Sequence, residues 1–368
     1  MRIGLAAVTG TLGGPRTYAL ELLRALAALP GDDAYVLLAD DPSVAPRSPR
    51  VTAARVPTPF RAARPLAEAL ALPWLARRER LDVLHGTKQT LPAGIRCARV
   101  VAVHDLAPMI FPETFPAGAG TWLRRTTAAA ARRAHVVVTG SRRTALDLRE
   151  RLGVPEERIV VTPYGVEERF SAPQSPARID EVRTRLGLPR DYLACVGTIQ
   201  PRKNVDVVLD AIDVLAARGR EVPVLALAGR VGWMSDDVVA RARASSRVRW
   251  LGELADADLP PLLAGARAFL SPSSYEGFGL AVAEAMAAGT AIVAGAGSAS
   301  DEVVADAGVL VPPRDADALA AAIEALLGDE QRRLRLAAAG KARAAAYTWS
   351  ATAVATHAAY ARAAESAR

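Results

Sequence analysis

Lysine is scarce in this chain: only Lys88, Lys203 and Lys341 appear among 46 lysine and arginine residues. The bias toward alanine and arginine reflects residue supply as much as physics, and nothing functional is drawn from it. Cysteine is scarcer still. Cys97 and Cys195 lie far apart inside apolar, strand-like runs, without CxxC spacing and without ligand histidines nearby. That argues against a disulfide framework or a zinc site and leaves buried free thiols as the expectation. No run approaches the roughly 20 apolar residues that span a bilayer, and no internal repeat or low-complexity linker is visible. The opening Met1-Arg2-Ile3-Gly4-Leu5-Ala6 leads into a strand pattern instead of a signal peptide, so a cytoplasmic protein is expected.

What is present is apolar material for two cores: 368 residues, 51% hydrophobic. Short Val/Ile/Leu/Ala strands recur near Ile3–Val8, Tyr35–Ala39, Val51–Val56, Val83–His85, Val100–His104, Val136–Thr139 and Ile159–Thr162, with helical patterns such as Arg16–Leu29 and Leu123–Ala134 between them. Continuous apolar strands alternating with helices predict a parallel sheet covered on both faces. The alternation lapses in the Ser/Pro/Gln stretch from Phe170 to Pro176, which reads as a linker. It restarts through Tyr192–Val196, Val224–Ala228, Val248–Leu251, Ala268–Leu270, Ala291–Val293 and Val309–Val311. From Asp315 the tail is helical, with a break at Tyr347-Thr348-Trp349 and a cap at Thr348 or Ser350. The fold class is therefore α/β, two doubly wound, Rossmann-like domains over residues 1–172 and 177–349, with a last helix at about 350–368 packing back on the first. Two such sheets facing a cleft would bind ligands in their strand-to-helix loops.

The charge is divided unevenly. Residues 1–172 hold 24 Lys+Arg against 16 Asp+Glu, leaving 22 against 23 of the 46 and 39 in the whole chain. The excess would draw an anionic partner, either a phosphate-bearing acceptor or an anionic membrane surface; a solvated basic surface without a partner is the competing reading. Arg61, Arg64, Arg77, Arg78 and Arg80 mixed with Leu66, Leu70, Leu72, Trp74 and Leu75 suggest a basic amphipathic helix suited to peripheral membrane contact. Pro65 and Pro73 interrupt it, and ordinary packing competes. No nucleic-acid partner is expected.

Three loops carry chemistry. Thr9-Gly10-Thr11-Leu12-Gly13-Gly14-Pro15 follows the first strand and opens a helix, where backbone N–H groups and the helix dipole suit a phosphate. Its GxxGG spacing matches neither the dinucleotide nor the Walker pattern. Val196-Gly197-Thr198-Ile199-Gln200-Pro201-Arg202-Lys203-Asn204 opens the second domain, and its two adjacent cations can neutralise charge on a diphosphate leaving group; Arg230 is a lesser candidate. Ser271-Pro272-Ser273-Ser274-Tyr275-Glu276-Gly277-Phe278-Gly279-Leu280 crosses a glycine-rich loop into a helix that contains Glu284 and that Gly289 can end. Phe278, Gly279 and Leu280 would offer N–H groups to a phosphate. A carboxylate accepting two vicinal hydroxyls is a standard way to hold a ribose or hexose, so Glu276 on the loop and Glu284 on the helix could hold one of each; for Glu284 a carboxylate on so apolar a helix is costly unless used.

The Glu276-to-Glu284 segment, with Ser271-Pro272-Ser273 before it and Gly277-Phe278-Gly279 inside it, resembles the signature of family 4 glycosyltransferases. The Val196–Asn204 block and Pro163-Tyr164-Gly165-Val166 resemble two more family blocks. The resemblance implies a GT-B fold, retention of configuration, a nucleotide diphosphate sugar as donor and no cofactor or required metal. It implies Glu284 on the donor ribose, Glu276 near the donor sugar, Arg202 and Lys203 on the diphosphate, and Gly13 and Gly14 approaching that diphosphate from the other domain. Two positions depart from the family pattern: Thr198 stands where an arginine is common, and Tyr164 where asparagine is usual.

His104-Asp105 ends a strand where family members place a histidine against the donor sugar, although a lone strand-end histidine is often structural. Asp105, Lys88 and Gln89 are acceptor candidates; His85 and His135 fit structural roles. Asp256-Ala257-Asp258 and Asp315-Ala316-Asp317 each open a helical run and read as N-caps, not metal ligands. By family likeness GDP-mannose is the expected donor, with UDP-sugars close behind and a hydroxyl-bearing acceptor. A nucleotide-sugar epimerase and a non-catalytic nucleotide-sugar sensor are the alternatives.

Overall fold

The computed structural model describes residues 1–8, 13–58 and 64–368, the side chain at position 64 excepted. Thr9 to Leu12 of the first glycine loop, and Arg61 of the basic segment, lie outside these residues. The chain divides into two compact units. The first comprises Met1–Met109, Gly118–Gly165 and Thr348–Arg368; the second comprises Ile110–Ala117 and Val166–Tyr347.

In the first unit the described strands are β1 (Arg2–Ala6), β2 (Ala34–Ala39), β3 (Val51–Arg55), β4 (Val83–Gly86), β5 (Ala98–Ala102), β6 (Val136–Thr139) and β7 (Ile159–Val161). They form one parallel sheet in the order β3-β2-β1-β4-β5-β6-β7. Strand β6 shows why the sheet is parallel and covered: Val136, Val137 and Val138 are all buried, so neither face meets water. The second unit repeats the plan with β8 (Tyr192–Val196), β9 (Val224–Ala228), β10 (Val248–Gly252), β11 (Ala268–Ser271), β12 (Ile292–Gly295) and β13 (Val309–Val311), ordered β10-β9-β8-β11-β12-β13. In each sheet the winding direction reverses once, between β1 and β4 and between β8 and β11. Such a switch point opens a crevice beyond the carboxyl ends of the two strands.

The last helix, Trp349–Ser366, belongs to the first unit, where it packs on helix Gly14–Ala28 and on β4 to β7. Thr348 caps it, its hydroxyl accepting the Ala351 N–H at 3.1 Å. Polar anchors fix its register: Thr352 Oγ1 donates to the Pro163 carbonyl at 2.6 Å, and Tyr360 Oη meets His85 Nδ1 at 2.8 Å. His85 is fully buried there, and burial depresses its pKa to about 3.

The unit boundary differs from the composition-based division. The chain passes from one unit to the other at Gly165 and Val166, ahead of the Ser/Pro/Gln stretch, which lies inside the second unit. Phe170 is buried there and Ser175 caps helix Pro176–Arg185, so polar composition marks a surface turn and not a boundary. Segment Ile110–Ala117 is likewise part of the second unit: Trp233 Nε1 donates to the Thr114 carbonyl at 2.7 Å, and Phe115 packs on the Trp233 ring.

Of the two Asp-x-Asp strings, Asp315 caps its helix, accepting the Ala318 N–H at 2.8 Å. Asp258 does not act as a side-chain cap. Its buried carboxylate takes Arg185 at 2.6 Å and Arg178 at 3.3 Å instead. Both cysteines are free, Cys195 buried and Cys97 half-buried. Among the described residues no helix is long and apolar enough to cross a membrane.

Candidate active site

The second unit places its charged candidates at the switch point. Beyond β8 the backbone runs through Gly197 into a single turn, Pro201–Lys203, and then helix Val205–Ala217. Gly197 has φ +151° and lies so close to the neighbouring strand end that a Cβ on Gly229 would sit 1.9 Å from its carbonyl oxygen. Beyond β11 the loop carries Glu276 and leads through Gly279, at φ +91°, into helix Leu280–Ala287.

These two loops close on each other. Lys203 Nζ lies 2.5 Å from Glu276 Oε1, and Arg202 lies 3.4 Å from Glu276 Oε2 while donating to the Tyr275 carbonyl. Ser274 N–H donates to the Arg202 carbonyl at 2.9 Å. Arg202 and Glu276 are buried. Burial alone would raise the Glu276 pKa, but Lys203 and Arg202 outweigh it and hold the carboxyl at about 2. The carboxylate is thus ionised at neutral pH, and the cluster carries one net positive charge.

Asn204, which the sequence left without a role, holds the loops in register. It is fully buried with φ +51°, a left-handed conformation asparagine tolerates better than most residues. Its Nδ2 meets the Pro272 carbonyl at 2.7 Å, Ser274 Oγ at 2.9 Å and the Pro313 carbonyl at 3.0 Å, tying the loops after β8, β11 and β13 together. The signal available in the sequence was an Asn between two cations and an apolar helix.

Glu284 lives in different surroundings. It is half-buried on helix Leu280–Ala287, and among the described residues its carboxyl has no hydrogen-bond partner. Burial, with Glu167 and Asp256 nearby, raises its pKa to about 8 against the opposing pull of Arg169. Within this helix the first N–H groups bonded to Gly279 are those of Val282 and Ala283, which leaves Leu280 and Ala281 without an intrahelical acceptor. Phe278 is buried edge-on against Tyr347, with ring centres 5.3 Å apart.

The remaining candidates belong to the first unit. Gly13, at φ +101°, opens helix Gly14–Ala28 and its carbonyl accepts the Arg16 N–H at 2.9 Å. Lys88 is exposed in the loop after β4, beside Gln89, whose Nε2 donates to the Asp105 carbonyl at 2.8 Å. Asp105 Oδ1 accepts the Ala107 N–H at 3.0 Å, which gives that carboxylate a turn-capping role not expected from sequence.

His104 uses both ring nitrogens inside the first unit. Its Nε2 faces the Thr87 carbonyl at 2.8 Å, so it carries the proton, and Nδ1 then accepts from Tyr164 Oη at 2.7 Å. Both ring nitrogens are used within the first unit, and burial lowers the pKa, so the ring is a neutral Nε2–H tautomer. Contact with a sugar would require one of these bonds to open. Tyr164, one of the two departures from the family pattern, makes the second bond. Gly140 admits its ring: a Cβ there would lie 2.8 Å from the Tyr164 ring carbon next to the hydroxyl.

Two family models cover most of the chain: Glycosyltransferase Family 4 over residues 12–170 and Glycosyl transferases group 1 over residues 179–343. The O-antigen chain mannosyltransferase B of Escherichia coli is 32% identical over 280 residues, 75% of this chain and 73% of that protein. This chain belongs to glycosyltransferase family 4. It is an enzyme of that family, a glycosyltransferase. The MMP alpha-(1->4)-mannosyltransferase of Mycolicibacterium hassiacum is 29% identical over 95% of each chain. A D-inositol 3-phosphate glycosyltransferase of Frankia alni is 36% identical over 211 residues, 54% of this chain and 51% of that one. Among solved structures, the sucrose-phosphate synthase of Thermosynechococcus elongatus superposes with TM-score 0.78 at 22% identity, covering 98% of both chains. Anabaena HepE in complex with UDP-glucose superposes with TM-score 0.77 at 21% identity, covering 97% of this chain and 99% of that one. The glycosyltransferase thus has the GT-B fold, two parallel-sheet α/β units of Rossmann type.

Proposed function

We propose that this glycosyltransferase moves a mannosyl unit from GDP-mannose to a hydroxyl of an anionic or glycan acceptor, with retention of anomeric configuration. The observation that carries the donor half is the Lys203–Glu276–Arg202 cluster at the switch point of the second sheet, with Glu284 on the adjoining helix. When the bond from the sugar's anomeric carbon to the diphosphate oxygen breaks, negative charge grows on that oxygen. Lys203, Arg202 and the N–H groups at the start of helix Leu280–Ala287 answer it. The acceptor oxygen forms the new bond from the same face, and its proton passes to a phosphate oxygen of the leaving group. Glu284, whose pKa burial pushes up to about 8, holds the vicinal hydroxyls of the donor ribose.

Two side-chain cations supply the charge that a metal gives elsewhere, so turnover is expected to persist in a chelator. Mannose rests on the relatives named as mannosyltransferases. An anionic acceptor is supported by the basic first half of the chain and by a relative named for an inositol phosphate. A UDP-sugar donor is the second reading, favoured by the neighbour solved with UDP-glucose.

Incubation with GDP-mannose or UDP-glucose, an acceptor panel and EDTA, followed by NMR of the product's anomeric proton, tests this. The expected product is an α-mannoside formed equally well with EDTA present. Transfer from UDP-glucose alone would replace the donor, a β-product would remove retention, and isomerisation of the sugar without acceptor would favour an epimerase.

A further inference from the structure

Away from the carboxyl-end loops, the first unit has a second concentration of cations. Arg77, Arg80 and Arg96 line a pocket of about 270 Å³ together with Ala76, Leu81 and Cys97. Leu81 lies just ahead of β4 and Arg96 and Cys97 just ahead of β5, so the pocket opens at the amino ends of the strands. We propose that Arg77, Arg80 and Arg96 bind a phosphate group here, at the end of the sheet opposite the loops that carry Lys88 and His104.

Four observations support it. The three guanidiniums come from two separate stretches of chain, yet among the described residues none has a carboxylate partner, whereas Arg143, Arg178 and Arg241 are each ion-paired. The two nearby acids are engaged elsewhere: Asp82 accepts the Arg2 N–H at 2.7 Å, Glu79 pairs with Arg2 at 2.8 Å and with Arg78 at 3.8 Å, and neither lines the pocket. The floor is apolar, with Ala76 and Leu81 buried, which strengthens charge-assisted hydrogen bonds on that side.

Arg80 itself is in an unfavourable place. Helix Arg64–Arg78 ends in a turn where Arg80 N–H bonds the Arg77 carbonyl at 3.0 Å and Leu81 N–H bonds the Ala76 carbonyl at 2.9 Å. The residue at that bend has φ +50°, a position glycine normally fills. A cation there also complements the helix dipole, but Arg77 and Arg78 already do so, and the dipole explains neither Arg96 nor the concavity. Leu66, Leu70 and Trp74, all more than half exposed, run along the same helix, and the Arg78 guanidinium covers the Trp74 ring at 5.1 Å. The phosphate could therefore come from a soluble ester or from a lipid headgroup, whose chains would meet that stripe.

The test uses the intact chain, its Arg80→Gly variant and the double variant Arg77→Ala/Arg96→Ala. Glycerol 3-phosphate is titrated at low salt, and sedimentation is compared on vesicles of phosphatidylcholine with and without phosphatidylglycerol. Arg80→Gly suits the backbone and is expected to keep or raise Tm, so lost binding in it is not lost folding. Saturable ester binding, weakened about tenfold in both variants and slowing thiol labelling of Cys97, establishes the site with a soluble ligand. Sedimentation only with phosphatidylglycerol vesicles, lost in both variants, establishes it with a headgroup. Absence of both forms of binding, or binding that the variants leave unchanged, overturns the proposal.

Discussion

Glu276 faces Lys203 and Arg202, while Glu284, eight residues on, faces Glu167 and Asp256, with Arg169 the one opposing charge among the described residues. The consequences for stability run in opposite directions. Glu276 has a folded pKa of about 2, below its unfolded value of about 4.3, so its contribution is present above pH about 4.3 and is lost as pH falls toward 2. Glu276→Gln should cost about 3 kcal/mol at pH 7, because it strands two half-paired cations, and the difference from wild type should shrink in urea titrations at progressively lower pH. Glu284 has a folded pKa of about 8, above its unfolded value. Its stabilising contribution is complete below pH about 4.3 and is lost as pH rises through 8. The Tm of Glu284→Gln relative to wild type should therefore climb between pH 5 and 9. A difference that stays flat over that range would mean Glu284 is ionised at neutral pH.

At the level of elements, Asn204 ties three loops through one amide that has two N–H donors and three acceptors within reach. Asn204→Gly keeps the left-handed backbone and removes only the amide. We expect it to lower kcat about tenfold with a smaller change in KM for the donor, because the neighbouring Lys203 loses its fixed position. A raised KM with kcat unchanged would show that the tie serves binding alone. The regular elements were legible in the sequence: short β-branched and apolar runs such as Val136-Val137-Val138 and Tyr192-Leu193-Ala194-Cys195-Val196, alternating with helical patterns, predict strands buried on both faces. Irregular segments were not. Ile110–Ala117 carries no periodicity, and its assignment to the second unit depends on Trp233, more than a hundred residues away in sequence.

The same division holds for the site. Glu276, Arg202 and Lys203 were legible because two adjacent cations on one strand-to-helix loop and a carboxylate on a second, glycine-rich one match the family blocks that carry the donor site, and the structure brings all three together. The engagement of His104 by Tyr164, and the use of Asp105 as a cap, were not legible, because each is a contact between chain segments rather than a pattern within one. Tyr164→Phe should free His104 Nδ1 and raise the imidazole pKa, followed by NMR titration of the ring protons; an unchanged titration would show that Tyr164 does not control that nitrogen.

Over the whole molecule, the first unit is completed from the far end of the sequence. Helix Trp349–Ser366 buries Ala353, Ala359, Tyr360 and Ala363 and supplies the partner of His85. Truncation after Tyr347 removes that cover and should leave the first unit unfolded, seen as loss of one cooperative transition in calorimetry, while the second unit retains its own. The central claim, that this family 4 glycosyltransferase takes a mannosyl unit from GDP-mannose through the donor site of its second unit, is tested most directly by calorimetric titration of GDP and UDP into the wild type and Glu284→Ala. Selective GDP binding that Glu284→Ala abolishes is the predicted result. Binding of neither nucleotide, or GDP binding that Glu284→Ala leaves intact, would contradict it.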